Sequence, residues 1–230
     1  MIIGVDSCPA GWYVAWSLSS GAIAGRVYSR FSEIFLEAPP ASVIAVDIPI
    51  GLVETGNRRC DELARKALAP KRSSSVFPAP LRAVLDAASH AEASAIRRKM
   101  DGKGMSIQSF GITRKVQEVD LALGAFPLHQ SVYEVHPELC FTHLNGGQSL
   151  SFSKKKAAGR AERLRLLAGP FGVVPGQLME ERVRRDVGAD DVLDALVALW
   201  SAMRISRGEH ASLPALPDHD AQGRRMAIFF

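Results

Sequence analysis

The stretch SVIAVDIPIG at residues 42–51 restricts the fold more than any other part of the chain. Val43, Ile44, Ala45 and Val46 are apolar in succession, so a strand here has no polar face to turn to water. Strands of that kind occur where both faces of a sheet are covered. The chain must therefore supply helices for two sides, which points to a layered α/β fold. The same strand carries one carboxylate, Asp47, near its end. A buried, ionised carboxylate without a partner is costly enough that it neutralises, pairs or binds a metal. The partner has to come from elsewhere in the sequence.

The segments around this strand fit the layered reading. IIGVD (2–6), WYVAWSL (12–18) and AIAGRVYS (22–29) are rich in strand formers, and Cys8-Pro9-Ala10-Gly11 and Ser19-Ser20-Gly21 between them are turn chemistry. Three strands on connections this tight predict an antiparallel meander. FSEIFLEA (31–38) predicts a short helix stopped by Pro39-Pro40. NRRCDELARKAL (57–68) predicts a helix with Asn57 as N-cap and an Asp61–Arg65 pair one turn apart. Residues 70–128 read as a helical insertion, with helices expected over 81–100 and 113–126. SVYEVHPELCF (131–141) predicts a fifth strand whose regular part ends near Pro137. Helices are expected over 154–168, 175–187 and 188–206, and DAQGRRMAIFF suits a turn and a last short strand. The whole predicts one domain over 1–230, a mixed five-stranded sheet with helices on both faces and a helical insertion.

Composition excludes some classes. No apolar run approaches the roughly 18 residues of a membrane span, and the first residues lack the basic region of a signal peptide. A cytoplasmic protein without a membrane partner is expected. Cys8, Cys60 and Cys140 are odd in number and far apart, against a disulfide framework or structural zinc. The net charge of +4 is a mild basic bias that suits an anionic partner. It is concentrated in IRRKMDGK (96–103), KKKAAGRAERLR (154–165) and EERVRRD (180–186), which are either solvated helix faces or a grip for nucleic acid. Trp12, Trp16, Phe229 and Phe230 belong either to the core or to a homodimer surface.

Asp6 ends the first strand, Asp47 sits near the end of the fourth, and Glu134 lies in the fifth. If strands one, four and five run parallel and adjacent, their carboxyl ends meet at one edge, where open α/β sheets place ligands. Asp191 and Asp194 are three apart on the last long helix, and Asp190 and Asp194 four apart, so they share a face. Asp190 and Asp191 are also explained by the helix dipole, but Asp194 lies a turn deeper. Ala195, Ala198 and Ala202 continue its face and would let the helix lie close to the sheet. Carboxylates crowded this way raise one another's pKa values, and a hard divalent ion, Mg²⁺ or Mn²⁺, relieves them. Two ions about 3.5–4 Å apart would serve phosphodiester cleavage. His136, on the expected strand face of Glu134 and Glu138, either assists a metal or phosphate or is a hydrogen-bonded structural histidine.

This pattern of strands and acids resembles the RNase H-like fold, and DDVLDALVAL resembles the catalytic helix of RuvC-type junction resolvases. Asp6, Asp47, Asp191 and Asp194 match that constellation. More closely, GVDSCPAGW, AVDIPIGL, RRCDELAR, SSSVFPAP, YEVHPELCF and DDVLDAL are similar to motifs of a bacterial family known as domain of unknown function 429. The resemblance implies an RNase H-like nuclease that acts on nucleic acid, with Glu134 as a further ligand or water-positioning base. It implies that Arg59, Asp61 and Arg65 line the pocket, a plain surface helix being the alternative. Two other readings remain: a non-catalytic module binding nucleic acid or protein on the same fold, and an actin-like ATP-binding protein. The latter normally has two such lobes.

Overall fold

The apolar run at 43–46 lies in the interior of a sheet with helices on both sides, as a computed structural model of the chain shows. It describes residues 1–18, 20–37, 43–126 and 131–230. The helix stop at Pro39-Pro40, Ser19 of the second turn, the start of the fourth strand at Ser42 and the end of the expected insertion lie outside the described residues.

Strands β1 (Ile2–Cys8), β2 (Gly11–Ser17) and β3 (Ile23–Tyr28) form the meander, followed by helix α1 (Phe31–Glu37) and strand β4 (Val43–Val46). Then come α2 (Arg59–Ala67), α3 (His90–Asp101), α4 (Ile107–Gly111), α5 (Thr113–Ala125) and β5 (Val132–Glu134). Helices α6 (Pro137–Leu144), α7 (Ala157–Phe171), α8 (Val174–Glu181) and α9 (Ala189–Ser206) precede a hairpin of β6 (Ser212–His219) and β7 (Arg225–Phe229). The main sheet has the order β3-β2-β1-β4-β5. β1 pairs antiparallel with β2 and parallel with β4, and β4 pairs parallel with β5. This mixed five-stranded sheet between helical layers is consistent with an RNase H-like α/β fold.

Alternation along the strands divides the core in two. Ile3, Val5, Val14, Ile44, Val46 and Val132 pack with Phe31 and Phe35 of α1 and Val116, Val119 and Leu123 of α5. Tyr13, Ala15, Ala45 and Val135 pack with α9 and, beyond it, α6 and α7. Helix α9 lies directly on β1: a Cβ at Gly4 would stand 2.1 Å from the Leu199 amide nitrogen and 2.2 Å from the Ala195 carbonyl oxygen. Ala195, Ala198 and Ala202 are completely buried, as the small-residue face of this helix predicts.

Several expectations are corrected. Helix α5, within the expected insertion, packs into a main core layer. The satellite part of that region is the cluster of Leu81, Val84, Ala93 and Met105, and the predicted helix over 81–100 is a short 3₁₀ turn at 82–84 followed by α3. Arg58, not Asn57, is the residue before α2, and the Asn57 amide donates to Glu62. Arg65 does not pair with Asp61: its guanidinium donates to the Val76 carbonyl at 2.6 Å. The fifth strand stops at Glu134 because Pro137, at the first turn of α6, opens a helix. Glu138 is therefore helical, and Glu134, His136 and Glu138 share no strand face. α7 runs past Gly169-Pro170, since a proline in the last turn removes only one intrahelical bond. α8 stops at Glu181, where Arg182 turns extended.

Trp12 and Phe229 are buried, and Trp16 and Phe230 pack partly covered against the core. The homodimer expectation thus loses the aromatic surface that suggested it. Among the described residues no helix is long and apolar enough to cross a membrane.

Candidate functional site

The parallel register of β1 and β4 brings the first two acids together. Val5 stands opposite Val46, so the next residues stand side by side: Asp6, which does not end β1 but is still paired with Tyr13 of β2, and Asp47, just past β4. The Asp47 amide donates to the Val5 carbonyl at 3.0 Å, carrying the ladder one step beyond β4. Both acids extend the rows of Gly4 and Ala45, which face α9. From α9, Asp194 and Asp191 approach the same edge. Asp194 is 1% exposed, and Asp191 accepts the Gly188 amide at 2.8 Å across the helix start.

The electrostatics confirm that the four groups sense one another. Asp6 is held well above the ordinary carboxylate range by burial, then by Asp47 and Asp194. Burial and Asp194 push Asp47 up to about 7. Asp191 is raised by burial, and by Asp190 and Asp194. Asp194 is raised by burial despite a cation beside it: the Lys154 ammonium donates to its Oδ2 at 2.6 Å. Its other oxygen, Oδ1, is buried and has no hydrogen-bond partner. Asp194 in turn holds Lys154 charged, with a pKa far above its usual value.

A cavity of about 360 Å³ opens at this edge, lined by Asp47, Asp194, Lys154, Lys155, His136 and Glu138, with Phe77 among its apolar walls. Arg58, Asp61 and Glu134 line it as well, but as a closed unit. Val132 faces α1 and α5, so Glu134, two residues on, leaves from the opposite face to Asp47. There Arg58 donates to both of its oxygens at 2.7 Å, and the Ile50 amide adds a third bond at 2.7 Å. Arg58 also pairs with Asp61, which accepts the Ala79 amide. Three hydrogen bonds, two of them from Arg58, thus hold Glu134 in the wall. Arg59 points out to solvent, 63% exposed, with Asp218 3.8 Å away; the inward arginine is its neighbour. The His136 Nε2 lies 3.3 Å from the Ser75 carbonyl, its Nδ1 is buried without a partner, and burial lowers its pKa.

Asp190 lines a different depression, a groove of about 560 Å³ bordered by Lys154, Lys155, Arg160, Arg182 and Arg184. Two of the basic clusters read in the sequence thus converge on one groove beside the acid pocket, and Lys154 and Lys155 border both. The third does not join them: Arg97 is buried, paired with Asp101 and donating to Asn57.

Arg58 and Lys154 are the pocket residues that sequence reasoning passed over. Both sit beside other basic residues; Arg58 is singled out by its burial, and Lys154, half-buried, by its bond to Asp194.

Among the described residues no three His, Cys, Asp or Glu side chains form a group that could hold a metal ion as they stand. A family model described as a protein of unknown function, DUF429, matches residues 4–219. No curated protein and no solved structure matches the chain.

Proposed function

We propose, from the premise that the chain belongs to the DUF429 family, that it is a divalent-metal-dependent phosphodiesterase acting on nucleic acid. The reading rests on one observation: Asp6, Asp47, Asp191 and Asp194 crowd one sheet edge closely enough to raise one another's pKa values, and Asp47 and Asp194 open into the cavity there. The donor set is oxygen only, which suits Mg²⁺ or Mn²⁺ and not zinc. Asp6, Asp47 and Asp194 would hold the ion, with Asp191 beside them. Once bound, such an ion polarises a phosphoryl oxygen and makes a water nucleophilic near neutral pH.

The remaining work falls to the protein's own groups. The basic groove beside the pocket draws in the phosphate backbone and sets its register. Lys154 and Lys155, shared by groove and pocket, orient the phosphate that enters. Glu134, bound to Arg58, shapes the wall and is left out of the ligand set.

The test is cleavage of single- and double-stranded DNA and RNA in Mg²⁺ or Mn²⁺. Asp6→Asn and Asp194→Asn should abolish cleavage while circular dichroism shows the fold intact. Undiminished cleavage by either variant would reject the assignment. Nucleic-acid binding without cleavage by any metal-loaded form would make the chain a binding module on the same fold.

A further inference from the structure

The cavity at the acid edge joins two kinds of surface. Asp47, Asp194 and Lys154 give it charge, while Ile48, Pro49, Val76, Phe77, Ile112 and Pro137 line it with carbon. Hydrolysis of a phosphodiester uses the first kind only, so the apolar part calls for a ligand group of its own. Phe77 stands out among these residues. Its side chain is 41% exposed and belongs to none of the core clusters.

The backbone on either side of Phe77 is fastened. Val76 is buried and packs with Cys60, Ala64 and Leu68. Its carbonyl accepts from Arg65 at 2.6 Å, and its amide donates to the Ser73 carbonyl at 3.3 Å. On the other side, the Ala79 amide donates to Asp61 at 2.9 Å, and Asp61 is itself held by the buried Arg58. Pro78 and Pro80 fix φ at their own positions. The SSSVFPAP run is therefore tied to α2 at Val76 and at Ala79, and it holds an aromatic ring out between the two ties. A ring held in this way is in place before a ligand arrives, so little ordering entropy is lost on binding.

We propose that Phe77 and the apolar wall form a subsite for one unpaired nucleobase, so that the pocket takes single-stranded or unpaired stretches of nucleic acid. This rests on the nucleic-acid reading above and adds the form of the substrate. The cavity, about 360 Å³, lies near the lower end of the roughly 300–1,000 Å³ of small-ligand sites. That is space for a nucleotide-sized group and none for a duplex. A base inside a duplex shows only its edges in the grooves, and its face is free for an aromatic ring only when it leaves the stack. The charge fits as well. Lys154 and Lys155 border both the cavity and the basic groove, so a backbone held in the groove passes the cavity and can turn a base into it. Stacking on an aromatic ring accepts every base, so the subsite selects unpaired strand without reading sequence.

The experiment is fluorescence anisotropy with the whole chain in EDTA, where metal-dependent cleavage is off. The probes are an oligothymidylate, an abasic oligomer with the same number of phosphates, and a blunt duplex. Phe77→Ala should weaken binding of the oligothymidylate about tenfold and leave the abasic oligomer and the duplex as they are. The salt slope should not change, since no charge is removed. Phe77→Trp, which keeps an aromatic face, should retain the wild-type affinity. Unchanged oligothymidylate binding by Phe77→Ala, an equal loss for all three probes, or no binding of the oligothymidylate by the wild type overturns the subsite. Cleavage in Mg²⁺ or Mn²⁺ is read separately, so the phosphodiesterase reading stands or falls on its own assay.

Discussion

Asp47 and Glu134 are both lone acids at the ends of apolar strands, and their partners separate them. Glu134 meets Arg58 and becomes part of the wall, while Asp47 meets other carboxylates. Removing the arginine strands two buried acids, Glu134 and Asp61. Arg58→Leu should therefore cost about 3–5 kcal/mol, read from urea unfolding. Asp47 gives a pH signature of opposite kind to the usual carboxylate. Its folded pKa of about 7 lies above the ordinary 3.8, so between those values the folded chain keeps a proton that the unfolded chain releases. Its contribution is fully present below the lower value and is lost as pH rises through the upper one. The thermal midpoint of the metal-free protein should fall from pH 5 to pH 8, and Asp47→Asn should flatten that slope. Saturating Mn²⁺ should also flatten it, because the ion takes over from the proton. The acids were legible because a charge in an apolar strand is rare. Arg58 and Lys154 were not, because a basic residue in a basic run looks solvated until its surroundings are known.

Among the elements, α9 does the most to define the pocket. Its alanine face and Gly4 of β1 belong together: the backbones meet with no space for a side chain. Gly4→Ala must push the helix off the strand, and with it Asp194 away from Asp6. The expected result is a loss of about 1–3 kcal/mol of stability on overpacking, together with weakened Mn²⁺ binding, read by titration. The alanine spacing could be read from sequence because the helical period is strict. The β6 strand could not: Pro214 and Pro217 in SLPALPDH speak against a strand. They are tolerated because β6 pairs only with β7 and its register shifts between Leu213 and Asp218. α5 was seen as a helix but placed as an insertion, since an apolar face does not say which layer it joins.

At the scale of the whole molecule, the modest net charge of +4 conceals an uneven distribution. Basic residues from the approach to α7 and the segment after α8 border one groove, and acids occupy the pocket next to it. Arg182→Glu with Arg184→Glu should weaken nucleic-acid affinity across all sequences and lower the log–log salt slope by about two, measured by fluorescence anisotropy. In the third cluster only Arg97 is tied up, by Asp101; Arg98, Lys99 and Lys103 are exposed but lie outside the groove.

The cavity wall includes Ile228 of β7, and Phe229 bridges to Val135 beside β5. During translation, α9 and its aspartates emerge before this hairpin does. A nascent polypeptide reaching only to residue 206 would already carry every acid of the cluster, yet it would lack the flank that shuts the chamber. Closure of the chamber therefore waits for the hairpin, which follows every acid of the cluster in chain order.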